Sequence, residues 1–453
     1  MMHTRKRRAS AAAQPPPHAA FKKWRFIEIS APSHFELGRQ HGEKLRAEIK
    51  EVFRRLKFYT KHYLGRSYKC CVKYVEENIR PYVAAKYPDI WEEICGISAG
   101  AAGAARPEEI LFWNCYETLF SLFVGGKKDL SGQRCSAFIS AGGGSIIMAH
   151  NSHTDFIMGQ TLNIMMRVVP PQGAAFFMQT AAGLIFSLVD WFSTSAGIIG
   201  CETSIANIIA RPRLDAAPVC CRARTAMQYS NSIDDFVRFI KENNAGDYSA
   251  AWLIGDQKTG EIARIELTPN FCGVSRTFSG VYVGANLAVD ARVLADVRRE
   301  DEGDFRLSSI NRYERLLYLT EGGVKNAAQA RKIIADHFDT EKQRVIKNSH
   351  SICKHVEYDD GVGHPDVKVP FFPRGAYDGK VCVAAVGGDG TGVGVVDMWV
   401  RWGSSCGRKF SVREHTKKHP QFKKYFDYMN DFGGEPWKRV AVKWMGVGTD
   451  KKV

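Results

Sequence analysis

The hydrophobic period of the chain changes once, at Cys135, and that change divides what each part can fold into. From residue 34 to 124 apolar positions recur every three or four residues. In "HFELGRQHGEKLRAEIKEVFRRLKFYTKHYL", Leu37, His41, Leu45, Ile49, Phe53 and Leu56 fall on one helical face. "YVEENIRPYVAAKYPDIWEEICGISAGAAGA" continues with a break near Pro81, and "RPEEILFWNCYETLFSLF" opens with Pro107 and acids in its first turn, as a helix N-terminus does. The front third is therefore expected to be helical throughout.

After Cys135 the pattern becomes short apolar runs broken by Gly, Asn and Asp: "CSAFIS", "SIIMAHN", "TLNIMMRVV", "AAFFMQTAAG", "AGIIGCETSI", "AAWLIGD", "EIARIEL" and "GVYVGAN". Helical patterns interrupt them at 223–242 and 308–338, before a last strand pair in "KVCVAAVGGDGTGVGVVDMWVRWG". Many strands with few helices between them predict an α+β chain of packed antiparallel sheets covered by helices. The run "GGDGTGVG" lacks the GK[ST] ending of a phosphate loop and lies between two β-like runs, so a glycine-rich hairpin is expected there.

With 453 residues and 45% apolar content the chain can bury a large core. Its formal charge of +15 raises nucleic acid as a partner, but the excess sits at the ends. Residues 1–25 carry seven Lys/Arg and no acid, and residues 408–453 carry twelve Lys/Arg against five acids, leaving the body nearly neutral. Solvated basic tails are expected, with no nucleic-acid partner. The N-terminus has a basic cluster but no apolar stretch of signal-peptide length, and no apolar run is long enough to span a membrane. The twelve cysteines are scattered, with adjacent pairs at Cys70–Cys71 and Cys220–Cys221 and no CxxC, which offers neither a zinc framework nor a disulfide ladder. A cytoplasmic protein is expected, with organelle import through the basic N-terminus as the alternative.

Cys135 stands where the polar connector "GGKKDLSGQR" meets an apolar strand. A cysteine there is by itself most simply a small core residue. Soon after it, "MAHNSHTDF" sets His150, Asn151, His153 and Asp155 at the end of a strand, where polar side chains can project. Metal binding through His150 and His153 lacks a third ligand at a convincing spacing, so no metal and no cofactor are expected. Asn286 ends the strand "YVGANL", and Arg312 lies in the helix start "SSINRYERLLYL".

Taken together, Cys135, "MAHNSHTDF", Asn286 and "NRYERL" resemble the N-terminal-nucleophile (Ntn) hydrolases of the peptidase C45 type. The relatives in question are the acyl-coenzyme A:6-aminopenicillanic-acid acyltransferase-like and phospholipase B-like proteins. "ELGRQHGEKLRAEI", "WEEICGISAGA", "EEILFWNCYE", "HSICKH" and "GSSCGRKF" are similar to the acyltransferase relatives. "SAGIIGCETSIAN", "RTAMQYSNSIDDFV" and "WLIGDQKTGEIARIEL" are closer to the phospholipase B-like group. The resemblance implies a four-layer αββα sandwich preceded by a helical pro-segment, and self-cleavage between Arg134 and Cys135. In that reaction the thiol attacks the preceding carbonyl, and water then frees a new N-terminus whose amine serves as base for its own thiol.

The resemblance also implies the roles: Cys135 as nucleophile, Asp155 closing the strand motif, Asn286 donating to the oxyanion, and Arg312 completing an Asp–Arg pair around the amine and thiolate. Arg134 departs from the small residue that precedes the cut in the penicillin enzyme, and the Asn151-to-Asp155 spacing follows the phospholipase B-like form.

The expected organisation is a disordered basic tail at 1–30, a helical pro-segment at 31–134, the αββα domain at 135–407 and a basic extension at 408–453, packed on the domain or trailing it. His150, Asn151, Phe177 and Trp191 are the expected substrate-binding residues, with Phe176, Phe186 and Phe192 nearby, although any one of these aromatics serves equally well as core. The expected substrate is a small acyl amide, thioester or ester cleaved through an acyl thioester on Cys135, with peripheral lipid contact and a heterodimer of the two processed chains. The alternatives are a phospholipase B-like lipid hydrolase, which would carry a lysosomal location, and a processed but catalytically silent lipid-binding protein.

Overall fold

The computed structural model describes residues 21–124, 135–188, 191–208, 211–297, 304–358, 373–387 and 393–444. A strand, β1 (Arg25–Ser30), precedes seven helices among the described residues. These are α1 (His34–Lys44), α2 (Arg46–Tyr63), α3 (Tyr68–Asn78), α4 (Arg80–Lys86), α5 (Pro88–Gly100), α6 (Pro107–Asn114) and α7 (Tyr116–Phe123). Strands take over with β2 (Cys135–Gly142) and β3 (Ser145–Asp155). The single turn α8 (Phe156–Gly159) leads into β4 (Ile164–Val169), β5 (Phe176–Thr180), β6 (Phe192–Thr194) and β7 (Ile198–Ser204). The helices α9 (Val219–Tyr229) and α10 (Ile233–Lys241) come before β8 (Ala250–Asp256), β9 (Ile262–Leu267), β10 (Cys272–Thr277) and β11 (Gly280–Gly284). After α11 (Asp304–Thr320) and α12 (Ala327–Ile334) come the short β12 (Phe338–Asp339) and β13 (Arg344–Val345). The last elements are β14 (Arg374–Ala376), β15 (Asp378–Ala385), β16 (Val396–Trp402), α13 (Val412–Lys418) and β17 (Lys438–Val442).

The front third is helical, as its period requires. Pro81 sits in the first turn of α4 and Pro107 in that of α6, where no intrahelical N–H is lost. Within this region α1 and α5 meet backbone to backbone. Gly38 and Gly42 lie against α5, and Gly96 and Gly100 against α1. A Cβ at Gly38 would stand 2.0 Å from the Glu93 carbonyl oxygen, and one at Gly96 2.0 Å from that of Phe35. No side chain can yield there, because the obstacle is main chain. Gly96→Ala is therefore expected to lower stability by about 3 kcal/mol, read as an earlier urea midpoint. An unchanged midpoint would show that the two helices separate without cost.

The strands form two large, mainly antiparallel sheets. One runs β1-β4-β5-β6-β7-β8-β9-β10, with only the β1–β4 pair parallel, and the other runs β11-β2-β3-β15-β16-β17 with β14 alongside the end of β3. Alternation along β2 explains how the sheets pack. Ala137, Ile139 and Ala141 join the core shared with Ile199, Leu253 and Ile254 of the first sheet, while Phe138 joins the core under Leu316 of α11 and Ile333 of α12. The helices α11 and α12 thus cover the second sheet, and α9 and α10 contact the first. The protein is mixed α+β, as expected.

Several expectations need correction. The helical patterns at 223–242 and 308–338 each resolve into two helices. Ser232 caps a fresh start for α10 by accepting the Asp235 N–H, and Gly322 and Gly323, at φ of 76° and 83°, end the run before α12. The tail does not extend to residue 30, because Arg25–Ser30 pairs with β4; residues 1–20 lie outside the described residues. The strand β10 was not foreseen because its polar sequence CGVSRT lies at the sheet edge, half exposed. The region after 408 packs on the second sheet through the pairing of β17 with β16. The strands flanking "GGDGTGVG", β15 and β16, pair antiparallel as a hairpin there requires, while residues 388–392 of that run lie outside the described residues. Among the described residues no helix is long and apolar enough to cross a membrane.

Candidate active site around Cys135

Antiparallel neighbours bring the start of one strand beside the ends of the next. Here the start of β2 meets the ends of β3 and β11. Cys135 opens β2 opposite Ser152, and its position shares the sheet-to-sheet face of Ala137 and Ile139. The His153 backbone N–H reaches its sulfur. Burial pushes the Cys135 thiol well above the usual thiol range, and the nearby Glu202 carboxylate adds to the rise. In this structure the thiol is protonated at neutral pH. Arg134 and the rest of the connector, 125–134, lie outside the described residues.

Two side chains hold the Cys135 backbone. Asn286, just past the end of β11, adopts φ of 67°, a left-handed conformation that asparagine tolerates better than most residues. Its Oδ1 accepts the Cys135 N–H at 3.3 Å, and its Nδ2 donates to the Ser204 carbonyl at 2.8 Å and to Ser204 Oγ at 3.2 Å. Arg312, fully buried on α11, donates through Nη1 to the Cys135 carbonyl at 2.5 Å and to Ser136 Oγ at 3.1 Å. Its Nη2 donates to Asn286 Oδ1 at 3.0 Å, to the Ala285 carbonyl at 3.3 Å and to Ser309 Oγ at 3.2 Å, and its Nε donates to the Ser308 carbonyl at 3.1 Å. All these acceptors are neutral. Burial lowers the Arg312 pKa to about 10, which leaves a full positive charge beside Cys135 at neutral pH.

Asp155 ends β3 and caps α8, accepting the Met158 N–H at 2.9 Å on Oδ1 and the Tyr59 hydroxyl at 2.7 Å on Oδ2. The expected Asp155–Arg312 pair does not form. Asp155 turns toward α2, whereas Arg312 approaches the start of β2 from α11. Sequence reasoning therefore missed Tyr59, whose helical period marked only an apolar face.

Cys135, His153 and Asp155 border a cavity of about 60 Å³. Its other walls are mainly aromatic and aliphatic: Tyr59 and Tyr63 of α2, Trp113 of α6, Tyr116 of α7, and Met158, Leu162, Leu188, Tyr248 and Tyr377. Tyr59 and Tyr63 stack at 4.7 Å between ring centroids. The front third therefore supplies much of the chamber that Cys135 borders.

None of the four expected substrate-binding residues borders this cavity. His150 is fully buried, with Nε2 at 2.9 Å from the Glu202 carbonyl oxygen. Asn151 has the opposite parity on β3, so its Nδ2 donates to the Ile334 and Ile352 carbonyls on the α12 side, at 2.7 and 3.1 Å, while Ser405 donates to its Oδ1. Phe177 and Trp191 pack in the core of the first sheet, as do Phe176, Phe186 and Phe192. Trp191 nevertheless packs close to the site, its ring centroid 6.4 Å from that of His150 and 5.9 Å from Lys380 Nζ. His153 does border the cavity, with both ring nitrogens buried and without hydrogen-bond partners. Burial, reinforced by Arg312 and Lys354, keeps that imidazole neutral.

Two buried polar groupings near Cys135 were also missed. Glu202 of β7 borders the cavity and accepts the Tyr248 hydroxyl at 3.0 Å. Lys380 of β15 donates to Ser152 Oγ and Gln179 Oε1, both at 2.6 Å, and to both Asp378 carboxylate oxygens at 2.9 Å. The signal for both was on the page: an acid inside the apolar run "IIGCETS" and a lysine before "VCVAAV", since fully buried charges are rare unless they are paired. No protein-family model matches the chain and no curated protein matches it, so the functional reading rests on this geometry and on the residues that build it.

Proposed function

We propose that the chain is an autoprocessed cysteine Ntn hydrolase or acyltransferase, with the two facing sheets and their helices forming the αββα sandwich of that class. The observation that carries this reading is the treatment of Cys135. It is the first residue of a strand that follows a polar connector, its N–H is held by Asn286 and its carbonyl by Arg312, and it borders an aromatic-walled cavity. A structural core cysteine needs none of these.

In this reading the thiol first attacks the Arg134 carbonyl, and the Cys135 nitrogen leaves as a free amine as the acyl group moves to sulfur. Water then hydrolyses the thioester. The freed amine, with an ordinary pKa of about 7.7–8.0, takes the proton of its own thiol, so no distant base is required. Asn286 Oδ1, which receives the peptide N–H in the uncut chain, is placed to receive an ammonium proton afterwards. The charge of Arg312 favours the thiolate and stands near where an oxyanion would form. The thiolate attacks an acyl amide, thioester or ester, the leaving group departs with a proton, and water or an amine removes the acyl group from sulfur. The twelve cysteines, all free in the structure, fit a reducing, cytoplasmic setting.

The aromatic chamber favours an acyl chain as the recognised element. Each methylene buried contributes about 0.8 kcal/mol. Against acyl amides, thioesters and phospholipid esters of increasing length, kcat/KM is expected to rise roughly three- to fourfold per methylene until the chamber is full. Mass spectrometry should trap the acyl group on Cys135. If no substrate acylates processed Cys135 while lipid binds stoichiometrically, the protein is a silent lipid carrier. A flat chain-length profile would remove the acyl-chamber argument and leave the nucleophile standing.

A further inference from the structure

Away from Cys135, four side chains from three separate segments converge. His337 follows α12, Cys353 and His355 lie on the loop before β14, and Cys406 lies just past β16. One ligand atom from each falls within 4.8 Å of the other three. Cys353 Sγ and His355 Nε2 are 3.6 Å apart, and Cys406 Sγ and His355 Nε2 are 3.4 Å apart. A tetrahedral zinc ion with Zn–S of about 2.3 Å and Zn–N of about 2.0–2.1 Å separates sulfur from nitrogen by about 3.6 Å. The spacing is thus that of ligands around a shared ion.

The surroundings agree. His355 Nδ1 is 2.6 Å from Glu357 Oε1, the carboxylate contact that orients a metal-bound imidazole and leaves Nε2 for the metal. The Nε2 of His337 is buried and has no hydrogen-bond partner. From these positions the geometry points to a structural zinc site of two thiolates and two imidazoles: His337, Cys353, His355 and Cys406. Binding displaces the two thiol protons and closes the coordination shell, leaving no open position for chemistry.

The site braces the back of the Cys135 region. Lys354, between two ligands, donates through Nζ to Ser308 Oγ at 3.2 Å, and the Ser308 carbonyl accepts Arg312 Nε. The Lys354 carbonyl accepts the Ala376 N–H at 2.9 Å on β14, which pairs with His153, Thr154 and Asp155 of β3. Cys406 ties the start of the C-terminal region to this loop. The expectation of no metal rested on the missing third ligand beside His150 and His153 and on the missing CxxC spacing, and ligands drawn from three segments have no such spacing to show.

The test is the metal content of the full chain purified under reducing conditions without chelator. One zinc per chain is expected for wild type and for Cys70→Ser, an exposed control. Background levels are expected for Cys353→Ser and Cys406→Ser. Because a misfolded variant would also lose metal, wild-type protein stripped by chelator is also titrated with Co2+. One equivalent should produce the intense visible absorption of a tetrahedral thiolate site. A metal-free wild type that stays colourless with Co2+ would overturn the assignment, as would a Cys353–Cys406 disulfide mapped in the purified protein. None of these readouts depends on catalysis, so the site stands or falls apart from the proposed reaction.

Discussion

Wild-type protein kept for hours at neutral pH is expected to resolve by intact mass into two chains, residues 1–134 and 135–453, while Cys135→Ala remains one chain. The variant should also lose turnover by roughly 10⁵–10⁶, as removal of a covalent nucleophile does elsewhere. The two wild-type chains should co-purify and separate only under denaturant. Tyr59, Tyr63, Trp113 and Tyr116 of the front third form the chamber wall opposite Cys135, and residues from both sides of the cut share one hydrophobic core. Wild-type protein that shows only its full-length mass would end the self-processing reading, whatever its activity.

The second large effect is expected at Asn286. Removing a donor to a developing oxyanion lowers turnover by roughly 10²–10³. In the uncut chain the Asn286 amide donates to Ser204, so the oxyanion role requires that this group turn once Cys135 carries a free amine. Asn286 also holds a left-handed backbone, which makes alanine alone an ambiguous test. Asn286→Gly keeps that conformation and lacks the amide. Both variants should lose kcat by a similar factor with KM nearly unchanged. If Asn286→Gly turns over at the wild-type rate, the position serves backbone geometry and not the oxyanion.

Arg312 shows how much of this site is architecture. Its guanidinium, reaching in from α11, joins the Cys135 carbonyl, Ser136, Ala285 and Asn286, from two other segments, into one arrangement. The sequence marked Arg312 and Asn286 as residues of interest, and both do meet Cys135. It also paired Arg312 with Asp155, and there the structure differs, because the partner of Asp155 is Tyr59 from a helix almost a hundred residues earlier. Nothing in a one-dimensional pattern tells a tyrosine on an apolar helical face whether it will meet core or carboxylate.

The alternating β patterns and the helical period were legible because both are local. Period 3.6 and period 2 follow from backbone geometry, and the apolar runs "AAWLIGD" and "EIARIEL" fall within a residue of β8 and β9. The shift of period at Cys135 likewise placed the residue at the first position of a strand. By itself, then, the sequence determined the α+β class, the helical front third and the location of the seam. Tertiary structure alone decided which wall faces the thiol, because the chamber lies between a helical layer and the strand ends and draws residues from both. It also decided that Asn151, Phe177 and Trp191 lie elsewhere, since one residue of parity or one layer of packing reverses a side chain's direction. The convergence of His337, Cys353, His355 and Cys406 belongs to the same class of fact. Long-range proximity is set when loops close over packed sheets, and no spacing along the chain encodes it.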